Sequence, residues 1–409
     1  MQLTPVVLAS AVAVALVSLP IVGTQTVPPA GLIRDVAASN VALVVKADGS
    51  VLFWGPDADG QAARPPSRTR VITAPVVLDL PGKALQVALG DATAYALLED
   101  GTIVAWGTND EGQLGNGAMG ASGELGIYPK PSITPVRVTG LANIIQIEAG
   151  GKHAVALRKD GTVWAWGTRD NGAIGDGKPT TLRPLRAIGP TRVSGLEGIT
   201  QIAVGHSYSL ALRSDGRVWS WGSNSEGELG VGTRDTGWLP AEVTGLDRVV
   251  AIAAGSGASG KGISGAVRDD GTVWMWGTNT SAQMGNGEGP MSPDDPGARN
   301  PLPVQVKGVA GAKSLSIGFG HVAALLGDGT LRMWGHDGWG QIGVGTSGFY
   351  QKKPVKVTGI SSVSAVHLGG PHSFAVRSDG TLWIWGVNFL NGQGVLGKYL
   401  HVPTLLDLP

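Results

Sequence analysis

Between residues 143 and 195, apolar side chains recur at every second position in three short runs. Ile145 and Ile147, then Val155 and Leu157, then Trp164 and Trp166 alternate with other residues, the period of two that belongs to a strand. Glycine turns separate the runs at Gly150-Gly151, at Asp160-Gly161 and in the segment after Trp166. An Asp-Gly pair between two alternating runs marks a hairpin, because glycine accepts the positive φ of a tight turn. A Pro-x-x-Val stretch at Pro190–Val193 supplies a fourth strand.

The same unit returns along the chain. The phrase D-G-x-x-x-x-W-G starts at Asp48, Asp100, Asp160, Asp215, Asp270, Asp328 and Asp379, and its tryptophans are Trp54, Trp106, Trp166, Trp221, Trp276, Trp334 and Trp385. A fixed period means one supersecondary unit copied and packed against itself. Seven units of four antiparallel strands predict an all-β, seven-bladed β-propeller over residues 31–409, with no linker between domains. Period-two runs exclude a helical solenoid, and an open row of sheets would leave edges exposed. Trp164, Trp219, Trp274 and Trp383, two residues before the repeated tryptophan, are expected to be covered by a neighbouring blade. Ala154 and Ala156 are expected on the crowded opposite face.

Composition narrows the function. Lys plus Arg and Asp plus Glu each number 31, without a basic block, so the charge footprint of a nucleic-acid binder is missing. Zero cysteines exclude disulfides, thiolate metal sites and a cysteine nucleophile. Residues 1–30 stand apart from the repeats: Val6 to Val22 is an apolar run that fits a signal peptide or a short N-terminal membrane anchor. Export to a secreted, periplasmic or cell-surface location is the expectation, with membrane contact only through that anchor.

Three further elements surround the Asp-Gly turn: A-x-G-x-x-H-x-x-A-L before it, W-G after it, and G-x-L-G ending nine residues beyond the tryptophan. The last reads Leu114-Gly115, Ile174-Gly175, Leu229-Gly230, Met284-Gly285 and Ile342-Gly343. In these elements the chain resembles the regulator of chromosome condensation repeat family over residues 31–409, and the resemblance implies its seven-bladed propeller. The first unit departs with Gln61-Ala62-Ala63 and the seventh with Asn391-Gly392-Gln393-Gly394, so blade one is expected to be the least regular. Residues 403–408 match the other outer-strand segments and are expected to complete the ring beside blade one.

Catalysis finds no foothold. His153, His321 and His372 occupy one repeated position, which is Val41, Thr93, Tyr208 or Ile263 elsewhere, so a buried structural imidazole is expected. The repeated Asp residues belong to Asx turns. Asp110, Glu111, Asp170 and Asp176 lack the alternation of a calcium loop. No metal, cofactor or enzymatic activity is expected.

Length variation points elsewhere. If the strands run A to D from hub to rim, the A–B turns and C–D loops share one face, the Asp-Gly turns and D–A linkers the other. The insertions at 118–132, 178–189, 255–261 and 287–302 all fall on the first face, and loops on a rigid scaffold are where binding residues gather. Tyr128, Arg169, Arg234, Trp238, Trp339, Phe349, Tyr350, Phe389 and Tyr399 lie there outside the repeat template and have interface composition. The leading expectation is an exported, monomeric, non-enzymatic scaffold that binds a protein or cell-surface partner. A narrower resemblance, to the exported β-lactamase inhibitory protein II, implies an enzyme inhibitor. The eukaryotic founder of the family implies guanine-nucleotide exchange on a small GTPase.

Overall fold

Alternation and turn chemistry produce what they predict: in the computed structural model the described residues form seven four-stranded antiparallel sheets, each built from four consecutive strands. Described are residues 33–119, 131–179, 186–256, 260–289, 292, 294–295, 297–346, 348–387 and 399–408, with no account of the side chains of 68–70. Blade three comprises Ile144–Ala149, His153–Arg158, Val163–Thr168 and Arg186–Arg192, strands A to D in hydrogen-bonded order. Among the described residues the helix content is a single 3-10 turn, Asp170–Gly172, and no helix is long and apolar enough to cross a membrane.

The A strands of successive blades touch one another all the way round, including that of blade seven, Val363–Gly369, against that of blade one, Ile33–Ala38. No strand is shared across this seam. The final strand, Tyr399–Leu406, pairs within blade seven, and Leu406, Leu382, Ile384 and Phe374 join Val36 and Leu43 of blade one in one apolar cluster. Apolar packing therefore joins the last blade to the first.

Each motif has a mechanical reason. All seven Asp residues of the Asp-Gly turns accept the backbone N–H two residues on, as at Asp100 Oδ1 from Thr102 N, 2.9 Å. The glycine of W-G sits at a bulge between strands C and D with φ near +100°, as at Gly167, where a Cβ would strike the Lys152 carbonyl. Each repeated tryptophan is fully buried. From Trp106 to Trp385 the indole N–H crosses to the preceding blade and donates to the carbonyl at the x of G-x-L-G, as from Trp166 to Gln113, Trp276 to Glu228, Trp334 to Gln283 and Trp385 to Gln341 at 2.7–2.9 Å. The closing glycine lies against that ring; at Gly115, φ +60°, a Cβ would come 2.7 Å from Trp166 Nε1. In blade one Ala63 holds this position at φ +53°, the irregularity expected there.

Two expectations are corrected. Trp164, Trp219, Trp274 and Trp383 are only half-buried, and Arg213, Arg268 and Arg377 of their own blades lie over the rings of the last three at 4.6–5.9 Å. Ala154 and Ala156 sit directly opposite Trp166 and Trp164 in the B–C pairing, so they share the tryptophan face and are small because the indoles lie over them.

Candidate protein-binding face

Strand direction fixes the two faces of the disc. In every blade the A–B turn and the C–D loop leave from one end of the sheet, while the Asp-Gly turn and the D–A linker leave from the other. The lengthened segments therefore emerge together. The Asp-Gly face repeats one short turn, and hydrogen bonds hold its seven carboxyls below the usual range, from Arg213 first at Asp215 and from the residue two along elsewhere.

Histidines on the loop side are structural. His153, His321 and His372 are buried, and burial pushes each imidazole down to about 3, so all are neutral. His321 Nε2 meets His372 O at 3.2 Å and Ser373 Oγ at 3.1 Å in the next blade, and His153 Nε2 meets Ser209 Oγ at 3.2 Å. Tyr208, at the same position of blade four, donates to Ile263 O. The loop acids have internal partners: Glu111 with Arg186, Asp176 with Arg169, Asp110 with Lys152 and the Gln113 amide. Among the described residues no group of three or more His, Asp or Glu is placed to hold a metal.

The nine residues singled out in the sequence separate into several groups. Tyr128 and Phe389 lie outside the described residues. Arg169 is 5 % exposed and its guanidinium pairs with Asp176 inside the blade-three loop, so it is buried where the sequence suggested an exposed position. Arg234 is exposed and Trp238 half-buried on blade four, where Trp238 O accepts from Gly177 N of blade three at 2.9 Å. The loop of buried Arg169 on blade three packs against Trp238 through Gly172, while the described candidates of blades six and seven lie at least two blades away.

Trp339, Phe349 and Tyr350 do come together, on blade six. With Phe319 and His336 they form a string of rings: Phe319–Trp339 at 6.4 Å, Trp339–His336 at 4.8 Å, His336–Tyr350 at 5.5 Å and Tyr350–Phe349 at 6.4 Å between centroids. Phe349 is 78 % exposed and the others half-buried. Tyr399, 50 % exposed, stacks edge-on with His401 on the neighbouring blade seven, whose ring faces Gly340 of the blade-six loop. Phe319 and His336 were not anticipated. Phe319 sits in an A–B turn where other blades carry Asp91, Gly151 or His206, and His336 follows W-G where blades two to five carry Thr or Ser and blades one and seven Pro56 and Val387, so both are template departures.

These departures sit on a frame whose origin comparison makes plain. The RCC1-like domain model matches residues 17–296, and the regulator of chromosome condensation (RCC1) repeat model matches 270–325 and 328–376. The chain belongs to the RCC1 repeat family. Among relatives it is 29 % identical over 333 residues to the ultraviolet-B receptor UVR8 of Arabidopsis thaliana, covering 79 % of this chain and 68 % of the receptor. Protein pim1 of Schizosaccharomyces pombe is 28 % identical, with 79 % and 62 % covered. The human E3 ubiquitin-protein ligase HERC2 is 27 % identical, but the match spans 85 % of this chain and 7 % of the ligase. The chain thus spans about two thirds of the first two relatives and a small part of the third. Yeast RCC1 (Prp20), solved bound to Kap60, superposes with a TM-score of 0.71 at 22 % identity over 94 % of this chain and 89 % of that one, a likeness of fold.

Proposed function

We propose that this chain is a non-enzymatic binding propeller that engages a protein partner through its loop face, with the blade-six rings at the centre of contact. One observation carries the reading: solvent-reaching aromatics absent from the repeat template gather on the face where loop length varies, while the opposite face repeats a single turn. Aromatic anchors of this kind dominate binding energy at interfaces. The relatives support the class, since one yeast homologue was crystallised with Kap60 and another study of it describes binding to Gsp1p and histones. The apolar run Val6–Val22 supports an exported or anchored location.

The test is affinity capture with the propeller as bait, followed by binding measurements on the captured partner. Alanine at Trp339 with alanine at Phe349 is expected to weaken binding at least tenfold with little change in thermal stability. A large loss of stability instead, or undiminished affinity, refutes the assignment. Nanomolar inhibition across a β-lactamase panel or accelerated nucleotide release from a GTPase would shift the reading to the two alternatives.

A further inference from the structure

The blade-six rings carry a second kind of information, in their polar atoms. Among the described residues each ring pairs with its neighbours in the series Phe319, Trp339, His336, Tyr350, Phe349, so these five form an open, linear string. Gln341 fixes one tautomer. Its Oε1 accepts the Trp339 backbone N–H at 2.9 Å, so its amide nitrogen donates to His336 Nδ1 at 2.9 Å, which leaves the His336 proton on Nε2. Among the described residues, Trp339 Nε1, His336 Nε2 and the Tyr350 hydroxyl make no hydrogen bond. None of the five residues is a carboxylate, a lysine or an arginine, and burial lowers the His336 imidazole, keeping it neutral.

The side chains of the strip therefore offer apolar ring faces and a row of donors, and among them only the Tyr350 oxygen remains to accept. We propose that it is a surface strip that binds an uncharged, extended, proline-containing peptide. A polypeptide in the polyproline II conformation has no internal hydrogen bonds and presents every carbonyl outward, which matches a row of N–H and O–H donors. Proline brings no N–H of its own, so no ligand donor is stranded against a surface short of acceptors, and its ring packs on aromatic faces. An ordinary extended peptide would bury unpaired N–H groups, and a sugar needs acceptors as well as donors for its hydroxyls.

This rests on the loop-face reading and is tested apart from it. Random decapeptides displayed on phage are selected on the intact propeller and counter-selected on its Trp339→Ala variant. The expected pool is enriched in proline flanked by uncharged residues, and a synthetic peptide from it binds with a micromolar dissociation constant. Trp339→Phe, which keeps a ring and removes the donor, is expected to weaken that peptide about fivefold to tenfold, as is Tyr350→Phe. Lys159→Ala on the Asp-Gly face is expected to leave affinity unchanged. A pool without proline enrichment, a charged pool, equal binding to Trp339→Phe, or binding of a glycan array in preference to peptides overturns the proposal. If a captured protein partner still depends on Trp339 in that event, the loop-face reading survives and the peptide chemistry alone fails.

Discussion

Replacing Asp35 by Asn should remove a pH-dependent weakness from the hub. Asp35 lies on the inner strand of blade one, almost wholly buried, where the next three blades carry Gln86, Gln146 and Gln201. Gln146 accepts from Ile202 N at 3.0 Å and donates to Ile202 O at 2.8 Å, and Gln201 does the same to Ile252 at 3.1 and 3.3 Å. Asp35 Oδ2 accepts from Val87 N at 2.9 Å, but an ionised carboxylate has no proton for a carbonyl. Burial pushes its carboxyl up to about 7, against which the bonds from Val87 and Val36 act only in part. The folded state then binds a proton that the unfolded chain has lost, so stability falls as pH rises from about 4 to about 7 and is flat beyond. Between pH 5 and pH 8 the loss is about 2–3 kcal/mol, two pH units at about 1.4 kcal/mol each. The buried histidines change in the opposite sense below pH 6.5, and Asp337 and Glu228 are also raised by burial, so the quantity to measure is the difference between Asp35→Asn and the parent. Urea unfolding at both pH values should show the variant gaining about 2–3 kcal/mol on the parent from pH 5 to pH 8. An equal difference at the two values would show that Asp35 is ionised in the fold and the reasoning wrong.

Other outcomes follow from positions where one blade breaks its own rule. Trp164, Trp274 and Trp383 donate to the threonine two residues earlier, but blade four has Arg217 there and Trp219 Nε1 is buried without a hydrogen-bond partner; Arg217→Thr should raise the unfolding free energy measured in urea by about 0.5–1 kcal/mol, since the exposed Arg217–Glu242 pair contributes little. Ala63 holds φ +53° where five blades have glycine, so Ala63→Gly should stabilise by about 0.5–1 kcal/mol in the same assay. Burial depresses His153, His321 and His372 to about 3 and His367 to about 4, so stability from these groups is complete above pH 6.5 and lost as pH falls; His367→Gln should reduce the slope of stability against pH between 6 and 4.5 by about one proton.

The fold was legible because each motif is local. Asp-Gly turns, alternating runs and the tryptophan spacing each constrain a few neighbouring residues, and seven copies leave one architecture that buries them all. The hub was not legible. Alternation pairs Ile145 with Ile147 but cannot say what Gln146 and Glu148 meet, and both are buried between blades, where Gln146 Nε2 donates to Glu148 Oε1 at 3.1 Å. The candidate face was legible by subtraction: Trp339, Phe349 and Tyr350 stand out because the template does not ask for them. Arg169 stands out by the same logic yet pairs inward, because a departure from a repeat reports a different local job without reporting solvent access. Phe319 and His336 were missed because each departs from the template by substitution at a position every blade fills, and aligning the seven A–B turns would have exposed the first.

Reading across blades also explains a pairing that no single repeat contains. A serine follows the strand-B start wherever the preceding blade holds His or Tyr: Ser209 after His153, Ser264 after Tyr208, Ser373 after His321, with bonds of 3.1–3.2 Å. Where the preceding blade holds Val41, Thr93 or Ile263, the residue is Ala94, Ala154 or Val322. A polar group in the interior needs a partner, so the two positions, more than fifty residues apart, are set together. The one break is the closing seam, where His372 faces a blade carrying Ala42 and turns Nδ1 to Val387 O in its own blade at 2.9 Å. Three of the other junctions carry this polar latch as well as apolar packing, whereas at the seam the position opposite His372 is Ala42 and an apolar cluster joins the two blades. The aromatic strip of blade six lies one blade from that seam, and the strand that follows its Phe319 turn begins at His321, whose bond to Ser373 is encoded in two separate repeats.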